Sequence, residues 1–417
     1  MGYTLVEKLL MKNAAVDKIE AGDMVTVNVD QVMVHDLFGP FVIDKFKEMG
    51  FDEVWNPEKI AFIYDHLVPT SSLEDSRHHK IIDKFAAEQG IAKVHRSDGV
   101  CHQLMPELGY AKPGSVVFGT DSHTTTYGAI GAFATGIGYT EMAAIFGTGK
   151  LWVKVPSTLR FNINGELPKG VFAKDIILKL IGDIGVDGAT YRAMEFAGSA
   201  IKNLSVASRL TLSNMAVEAG AKVGMIEPDE KTFEFSKVEG SEYAYLSSDA
   251  DAVFEKVYEY DATKFSPVVA CPSNVDNVKN IEELLGTKIN QAFLGSCTNG
   301  RLEDLEIAAN IVKGKKVAPF VKFIVTPASR SIYAEAVKKG IISTLVEAGA
   351  IVNPPACGLC CGRSGGIVSA GERVISTNNR NFLGRMGDAK AEIYLASPAS
   401  AAAAALAGKI VDPREYI

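Results

Sequence analysis

Short apolar segments rich in β-branched residues alternate with amphipathic segments along most of this chain, and this alternation limits the folds that it can adopt. Strands are predicted at residues 25–29, 60–64 and 115–119, and helices at 41–49 and 76–90. Such alternation favours mostly parallel sheets covered by helices. The predicted fold class is therefore α/β.

The same pattern continues through the second half of the chain. A strand is predicted at residues 291–294 and a helix at 302–312. Ser397, Pro398 and Gly408 flank an alanine-rich segment as N-cap, first helical residue and C-terminal stop, so this segment is predicted to be a short helix.

Two polar stretches suggest domain boundaries. The first is at 274–287, and a weaker one is at 156–168. We therefore predict two domains within residues 1–280 and a third at 281–417.

Composition excludes several classes of protein. The chain has 417 residues and a net charge of −7, which argues against a general nucleic-acid surface because such a surface is basic. Six cysteines are too few for a disulfide scaffold. Residues 129–146 are apolar but contain three glycines and Glu141, so we expect a buried segment and no membrane span. With no secretory signal visible, we expect a cytoplasmic protein.

Glycine-rich segments at 128–138 and 147–150 match neither the dinucleotide-binding fingerprint nor the P-loop pattern. We therefore predict no nucleotide cofactor.

Three cysteines carry the strongest chemical signal. Cys297 lies in Gly-Ser-Cys-Thr-Asn-Gly, and Cys357 and Cys360 form a C-x-x-C pair about sixty residues later. A structural zinc site or a fully ligated iron–sulfur cluster normally takes four protein ligands. Three thiolates leave one position open for a substrate. The alternatives are buried free cysteines, a zinc site or a redox dithiol, and Cys361 could replace Cys360.

Histidines beside acids form a second signal. All seven histidines lie within the first 123 residues. Asp65–His66 and Asp121–Ser122–His123 each follow a predicted strand, and His102 is a third candidate. An adjacent acid can fix the tautomer of an imidazole and tune its proton affinity, although any one histidine could be structural. If the imidazoles and the cysteines serve one site, that site lies between domains.

Other histidines are less informative. We expect His78 and His79, in a charged helix, to be exposed to solvent, and His35 beside Asp36 remains undecided. Near the end of the chain, Arg380 and Arg385 lie in a polar loop that contains glycine, and arginine side chains suit bidentate capture of carboxylates.

Together these motifs resemble those of the aconitase superfamily, and within it the large subunits of two-subunit 3-isopropylmalate dehydratases and homoaconitases. The resemblance covers essentially the whole chain. It depends on Asp65-His66-Leu67, residues 99–103, residues 119–124, residues 295–299, Cys357-Gly358-Leu359-Cys360, residues 379–385 and residues 394–398.

The resemblance implies three α/β/α domains, with mostly parallel sheets, around a central cleft that holds a 4Fe–4S cluster. It implies that Cys297, Cys357 and Cys360 bind three irons and that the fourth, open iron acts as a Lewis acid on the substrate. The acid–base residues that it implies are Asp65, His66, His102, Asp121 and His123, with Glu195 as a supporting carboxylate. The substrate-binding residues that it implies are Ser122, Asn379, Arg380 and Arg385.

The implied reaction removes a proton next to a carboxylate and expels a hydroxyl group from a small di- or tricarboxylate. In relatives the base is a serine on a small swivelling domain. We find no such domain in this chain, so we expect a separate small subunit. Ala356, Cys361 and Arg363 differ from the residues usual around the cluster motif, which leaves a 2,3-dimethylmalate-type dehydratase as an alternative. Rivals of other classes are an RNA-binding regulator and a zinc or redox protein.

Overall fold

The structure is a computed structural model that describes residues 2–417. Its strands are β1 Met24–Asn28, β2 Gln31–His35, β3 Ile60–Tyr64, β4 Val94–Arg96, β5 Val116–Gly119, β6 Phe133–Gly136, β7 Lys150–Lys154, β8 Thr158–Asn164, β9 Ala193–Ala197, β10 Val223–Ile226, β11 Lys256–Asp261, β12 Val268–Ala270, β13 Val278–Asn280, β14 Gln291–Leu294, β15 Lys322–Val325, β16 Ile351–Val352, β17 Arg373–Ser376 and β18 Glu392–Leu395.

The α-helices are α1 Leu5–Ala14, α2 Gly39–Glu48, α3 Leu73–Glu88, α4 Cys101–Glu107, α5 Tyr139–Thr148, α6 Ala173–Ile184, α7 Ser199–Asn203, α8 Val206–Met215, α9 Glu230–Ser236, α10 Ser296–Asn299, α11 Leu302–Val312, α12 Arg330–Lys338, α13 Ile341–Ala348 and α14 Pro398–Ala407. The 3-10 segments are Pro57–Lys59, Ser122–Ile130, Ala216–Ala219, Gly240–Tyr243, Ala262–Lys264, Ile281–Leu284, Gly358–Cys361 and Pro413–Glu415.

The chain forms two compact units that exchange segments. The first unit contains residues 1–96, 101–164 and 189–260, and the second contains residues 97–100, 165–188 and 261–417. The exchange near residue 164 falls within the weaker of the two predicted boundaries. Residue 280 lies inside the second unit, because β12 and β13 belong to the same sheet as the later strands. The division into three domains remains a prediction.

The first unit is built on two main sheets. A five-stranded sheet in the order β4-β3-β2-β5-β6 is parallel throughout. A four-stranded sheet has the order β10-β9-β8-β11, and a two-stranded antiparallel ribbon joins β1 to β7. Phenylalanine rings at 46, 62, 85 and 146 pack against one another with centroids 5.6–6.4 Å apart, and burying such rings is a major stabilising contribution.

The second unit is built on one seven-stranded sheet in the order β13-β12-β18-β17-β14-β15-β16. The five strands from β18 to β16 are parallel, whereas β12 pairs antiparallel with both β13 and β18. Helices α11, α13 and α14 contribute most of the buried helical residues of its core. The mostly parallel α/β class is confirmed in both units.

Several local predictions are confirmed to the residue. Strands β3 and β14 and helix α11 have the predicted bounds, and α14 has Ser397 as its N-cap and Gly408 as its C-cap. Helix α3 begins three residues before the predicted start, because Oγ of Ser72 accepts a hydrogen bond from N of Asp75 and caps an earlier turn. Among residues 2–417, every helix is too short or too polar to cross a bilayer.

Candidate functional site

The five-stranded sheet delivers acids and imidazoles to one edge. Strands β3 and β5 flank β2 and run parallel to it, so their carboxyl ends meet on one side. Asp65 and His66 follow β3, Asp121 follows β5, and His35 ends β2. This strand order explains why residues far apart in the sequence lie together in the first unit.

Asp121 is the centre of this His–Asp cluster. Its Oδ1 atom lies 2.7 Å from Nε2 of His102 and 3.3 Å from Nδ1 of His123. Its Oδ2 atom lies 3.6 Å from Nε2 of His66. Burial opposes ionisation of the carboxyl group, but the charge of His102 and the hydrogen bonds from the three imidazoles hold the pKa of Asp121 well below its usual range.

His66 is held from the other side by Asp65. Nδ1 of His66 lies 2.7 Å from Oδ1 of Asp65, and Oδ2 of Asp65 accepts a hydrogen bond of 2.7 Å from N of Cys101 at the start of α4. Because Nδ1 of His66 contacts Asp65, the other ring nitrogen, Nε2, faces Asp121. A carboxylate in this position fixes the tautomer and orientation of the ring.

A second buried acid fixes the turn after β3. Asp36 accepts hydrogen bonds from N of His66 at 3.0 Å and N of Leu67 at 2.9 Å. Nε2 of His79 lies 3.0 Å from the same carboxylate. The prediction that His79 is solvated is therefore wrong: α3 packs so that this side chain faces Asp36 and stacks on the ring of Tyr64 at 4.4 Å.

His78, which we expected to be exposed, is half-buried, and His35, which was undecided, is buried. The ring of His78 lies edge-on to that of Phe41, with the centroids 6.0 Å apart, so it is not fully solvated either. His35 stacks on His66 with centroids 4.3 Å apart. Burial, reinforced by the charge of His66, lowers the pKa of His35 to about 4, so it is neutral near pH 7.

A carboxylate that the sequence analysis missed contacts His123. Oε1 of Glu218 lies 2.7 Å from Nε2 of His123, and both side chains are buried. Glu218 lies in the 3-10 segment after α8, 95 residues from its partner. Nothing in its sequence neighbourhood marks it, because an exposed surface glutamate in a short helical turn would have the same pattern.

Glu195, the supporting carboxylate that the resemblance implies, lies in another environment. It is on β9, where its carboxylate accepts a 2.6 Å hydrogen bond from Nη1 of Arg160. Oγ of Ser248 lies 2.8 and 3.0 Å from its two oxygen atoms. Burial raises its pKa against the opposing charge of Arg160. It lines a cavity of about 1270 Å³ in the first unit. Its carboxylate bonds to Arg160 and Ser248 and to none of the clustered imidazoles among the described residues. Ser122, half-buried, opens the 3-10 segment after Asp121.

In the second unit, Cys297 follows β14 in a short helical turn. Ser296 adopts a left-handed φ of 69°, and its Oγ accepts a 3.2 Å hydrogen bond from N of Thr298. A Cβ atom on Gly295 would lie 2.8 Å from the carbonyl oxygen of Thr326, so only glycine fits there without displacement. The turn thus has a fixed path that presents the cysteine after the strand.

Asn379 brings the separated cysteines to one place. Its Nδ2 atom lies 3.4 Å from Sγ of Cys297, and its Oδ1 atom lies 3.6 Å from Sγ of Cys360. Cys357 precedes the 3-10 segment that contains Cys360, and all three thiols are buried. Hydrogen bonds with Cys360 and Cys361, followed by burial, raise the pKa of Cys357 well above its usual range.

Arg385 completes the surroundings of the cysteines. Its Nη2 atom lies 3.6 Å from Sγ of Cys360, while its Nε atom is buried without a hydrogen-bond partner. Burial opposes its charge, but charge on Cys360 and Cys357 outweighs that effect and raises the pKa of Arg385. Arg380 is half-buried. The thiol of Cys361 donates a hydrogen bond to the carbonyl oxygen of Gly358 at 3.2 Å, which differs from the contacts that Cys297 and Cys360 make with Asn379.

These donors fit an iron–sulfur centre. Cysteine thiolates are the ligands of such clusters, and nearby N–H donors to sulfur stabilise them. Amide and guanidinium groups of Asn379 and Arg385 lie beside the sulfurs here. Within residues 2–417, groups of three metal-binding atoms within 4.8 Å of one another contain histidines and aspartates only, and two of the three groups include Asp121.

Parallel sheets carry an imidazole–carboxylate network in one unit and three buried cysteines in the other, side chains suited to acid–base chemistry and to metal binding in an α/β enzyme. The family model "Aconitase family (aconitate hydratase)" matches residues 7–288 and 279–408. The chain belongs to the aconitase family, which confirms the resemblance seen in its motifs.

Relatives match over their whole length. A 3-isopropylmalate dehydratase large subunit 1 from Methanopyrus kandleri is 50% identical, with 100% of each chain covered. A probable 3-isopropylmalate dehydratase large subunit from Methanothermobacter thermautotrophicus is 51% identical over 99% of both chains. A Thermotoga maritima large subunit 1 of the same name is 50% identical over 100% of both.

Among solved structures, the holo form of Thermococcus kodakaraensis aconitase X matches with a TM-score of 0.53. It is 12% identical, and the match covers 93% of this chain and 94% of that one. At this identity the likeness supports the fold alone.

Proposed function

We propose that this chain is the large subunit of a 3-isopropylmalate dehydratase, which holds a 4Fe–4S cluster on Cys297, Cys357 and Cys360 and works with a small subunit. The observation that carries the proposal is the position of Asn379, whose amide group contacts the sulfurs of both Cys297 and Cys360. Relatives about 50% identical over their full length bear this name.

Spacing of the sulfurs favours a cluster over zinc. A zinc ion binds each sulfur at about 2.3 Å, so sulfurs around one ion lie within roughly 4 Å of one another. No group of three ligand atoms within 4.8 Å among residues 2–417 includes a cysteine. Three buried thiols that do not all lie within 4.8 Å of one another suit the larger metal centre.

When bound, a cluster with one iron free of cysteine supplies Lewis acidity toward the hydroxyl and carboxylate groups of a substrate. The chain itself supplies the proton. Asp121 holds the ring of His102 through a 2.7 Å contact to Nε2, and a protonated imidazole can act as a general acid toward a departing hydroxyl group. Asp65 holds Nδ1 of His66, and Glu218 holds Nε2 of His123, so both rings have a fixed orientation.

The carboxylates of the substrate need cationic partners. We propose that Arg385 and Arg380, with Ser122 and Asn379, bind them, because the planar guanidinium group pairs with a carboxylate in a bidentate manner. The unpartnered buried Nε of Arg385 provides a donor for such a ligand. A small subunit would bring the base that removes the carbon-bound proton.

The test is anaerobic reconstitution followed by turnover. We expect the chain to take up iron and sulfide and, mixed with its small subunit, to dehydrate 3-isopropylmalate faster than homocitrate or 2,3-dimethylmalate. Stoichiometric zinc in place of iron, or tight binding of structured RNA with no turnover, would contradict the proposal. If the enzyme preferred 2,3-dimethylmalate, the proposed hydro-lyase activity would stand and only the proposed substrate would be wrong.

A further inference from the structure

Lys174 is a fully buried cation close to the cysteines. It lies in the first turn of α6, and no part of its surface is exposed. Its Nζ atom donates hydrogen bonds to the carbonyl oxygens of Thr377 at 2.7 Å and Asn378 at 2.6 Å. A buried lysine is unusual unless it is paired, so the position of its counter-charge needs an explanation.

No carboxylate in residues 2–417 forms an ion pair with Lys174. The adjacent Asp175 accepts hydrogen bonds from N of Phe172 at 2.9 Å and from N of Val268 at 3.0 Å. Burial raises the pKa of Asp175 to about 7, which weakens it as a source of negative charge. Carbonyl oxygens solvate the ammonium group but do not neutralise it.

The carbonyls that Lys174 holds belong to the segment that joins the cysteine loops. Oγ1 of Thr377 accepts a 2.9 Å hydrogen bond from N of Gly295, two residues before Cys297. Nδ2 of Asn378 donates to the carbonyl oxygen of Cys360 at 3.2 Å. Lys174 therefore supports the contacts between both loops, although it contacts neither sulfur.

Charge balance supplies the second part of the argument. Burial lowers the pKa of Lys174 to about 7, and negative charge on Cys297, Asp304 and Cys360 opposes this effect. Metal-bound thiolates stay ionised, and a cluster with three of them is anionic. A buried cation is strongly disfavoured without an anion nearby, so loading the metal centre would supply the missing partner.

We propose that Lys174 is a positioning residue for the metal centre: it fixes the Thr377–Asn378 segment between the cysteine loops and provides the buried positive charge that balances the loaded cluster. The inference rests on the proposed function, since it assumes that the cysteines hold a cluster. Because Lys174 acts as a countercharge, its loss should affect how long the cluster is retained and the redox potential of the cluster.

The test compares Lys174→Met and Lys174→Gln with wild type. Methionine removes both charge and donor, whereas glutamine keeps an N–H donor without charge. Lys179→Met is the matched control, because Lys179 lies on the same helix, is partly exposed, and pairs with Asp183 at the surface. The measurements are iron and sulfide per chain after anaerobic reconstitution, the rate of cluster loss in air, the midpoint potential, and thermal unfolding of the metal-free chain.

Both Lys174 variants should lose the cluster about tenfold faster than wild type, in line with other substitutions around metal ligands. Their midpoint potentials should shift to more negative values, because a lost cation disfavours the reduced form. Lys179→Met should match wild type in every measurement.

Two results would overturn the inference alone. One is that both Lys174 variants have the same midpoint potential and the same cluster lifetime as wild type. The other is failure of the metal-free variants to fold, which would make Lys174 a support for the chain and not for the cluster. A wild-type chain that takes up no iron and sulfide would instead refute the proposed function, and this inference with it.

Discussion

Nε2 of His102 lies 2.7 Å from Oδ1 of Asp121. The same carboxylate contacts two further imidazoles, those of His123 and His66. One acid therefore contacts three imidazole rings. Under the proposed function, Asp121 is the residue on which proton transfer in this unit most depends.

Asp121→Asn should lower kcat by about 10²- to 10⁴-fold, the range found for groups that support general acid–base catalysis. The neutral amide removes the carboxylate charge that faces His102, His123 and His66, so the acid–base network loses its central anion. Iron and sulfide content should not change, since Asp121 belongs to the unit that lacks Cys297, Cys357 and Cys360. Asp44→Asn, an exposed change on α2, is the control. A kcat within twofold of wild type would refute the role of Asp121.

Glu218 and Glu195 can be separated by a pair of matched substitutions. Glu218→Gln should lower kcat by about 10²-fold, because the 2.7 Å contact that orients His123 loses its charge. Glu195→Gln should mainly affect stability: Arg160 would lose its partner, at a cost of about 2 kcal/mol.

The measurements for this pair are steady-state kinetics and urea unfolding. The opposite pattern, with the larger kcat loss in Glu195→Gln, would return Glu195 to the supporting role that the family resemblance implies. Equal and small effects would show that neither carboxylate acts in turnover.

Cys297→Ser should abolish uptake of the cluster. Two remaining thiolates hold a cluster poorly, and Asn379 would lose the sulfur that it contacts at 3.4 Å. Cys271→Ser is a matched control, because Cys271 is also buried but belongs to no cysteine motif. Iron and sulfide analysis after reconstitution provides the measurement. Full iron content in Cys297→Ser would exclude Cys297 as a ligand.

Local features of this fold could be predicted because local sequence determines them. Strand β3 is a run of five apolar residues, and α14 is bounded by Ser397 and Gly408, so their ends agree with prediction. The motifs also placed Asp65–His66 and Asp121 correctly at strand ends, since parallel strands of one sheet expose the same edge.

Long-range pairings could not be predicted in this way. Glu218 meets His123 across 95 residues, and His79 reaches Asp36 across 43. A charged residue that faces inward has the same sequence pattern as one that faces water, until packing decides its side. The assignment of residues 165–188 to the second unit could not be predicted either, because it depends on which sheet α6 covers.

Lys174 illustrates the same limit. Its sequence, Ala-Lys-Asp at the start of an amphipathic helix, is typical of an exposed first turn. The carbonyl oxygens that receive its hydrogen bonds lie more than two hundred residues away. Burial of this cation follows from the tertiary fold alone.

His35 provides a prediction about pH. Its pKa falls from the usual 6.5 to about 4 in the folded chain because of burial and the charge of His66. Between these values the unfolded chain binds a proton at His35 and the folded chain does not. Stability is therefore lost as pH falls from about 6.5 toward 4, by up to about 1.4 kcal/mol per pH unit.

His35→Gln removes this proton-binding difference, so its free energy of unfolding should fall less steeply than that of wild type between pH 6.5 and 4. Urea unfolding at half-unit pH intervals measures the slope, and above pH 7 the two slopes should agree. His95→Gln, a half-buried histidine of the same unit, serves as the comparison and should keep most of the wild-type slope. If His35→Gln lost stability on acidification as steeply as wild type, His35 would have to be protonated in the folded chain. The conclusion that its ring is neutral would then be wrong.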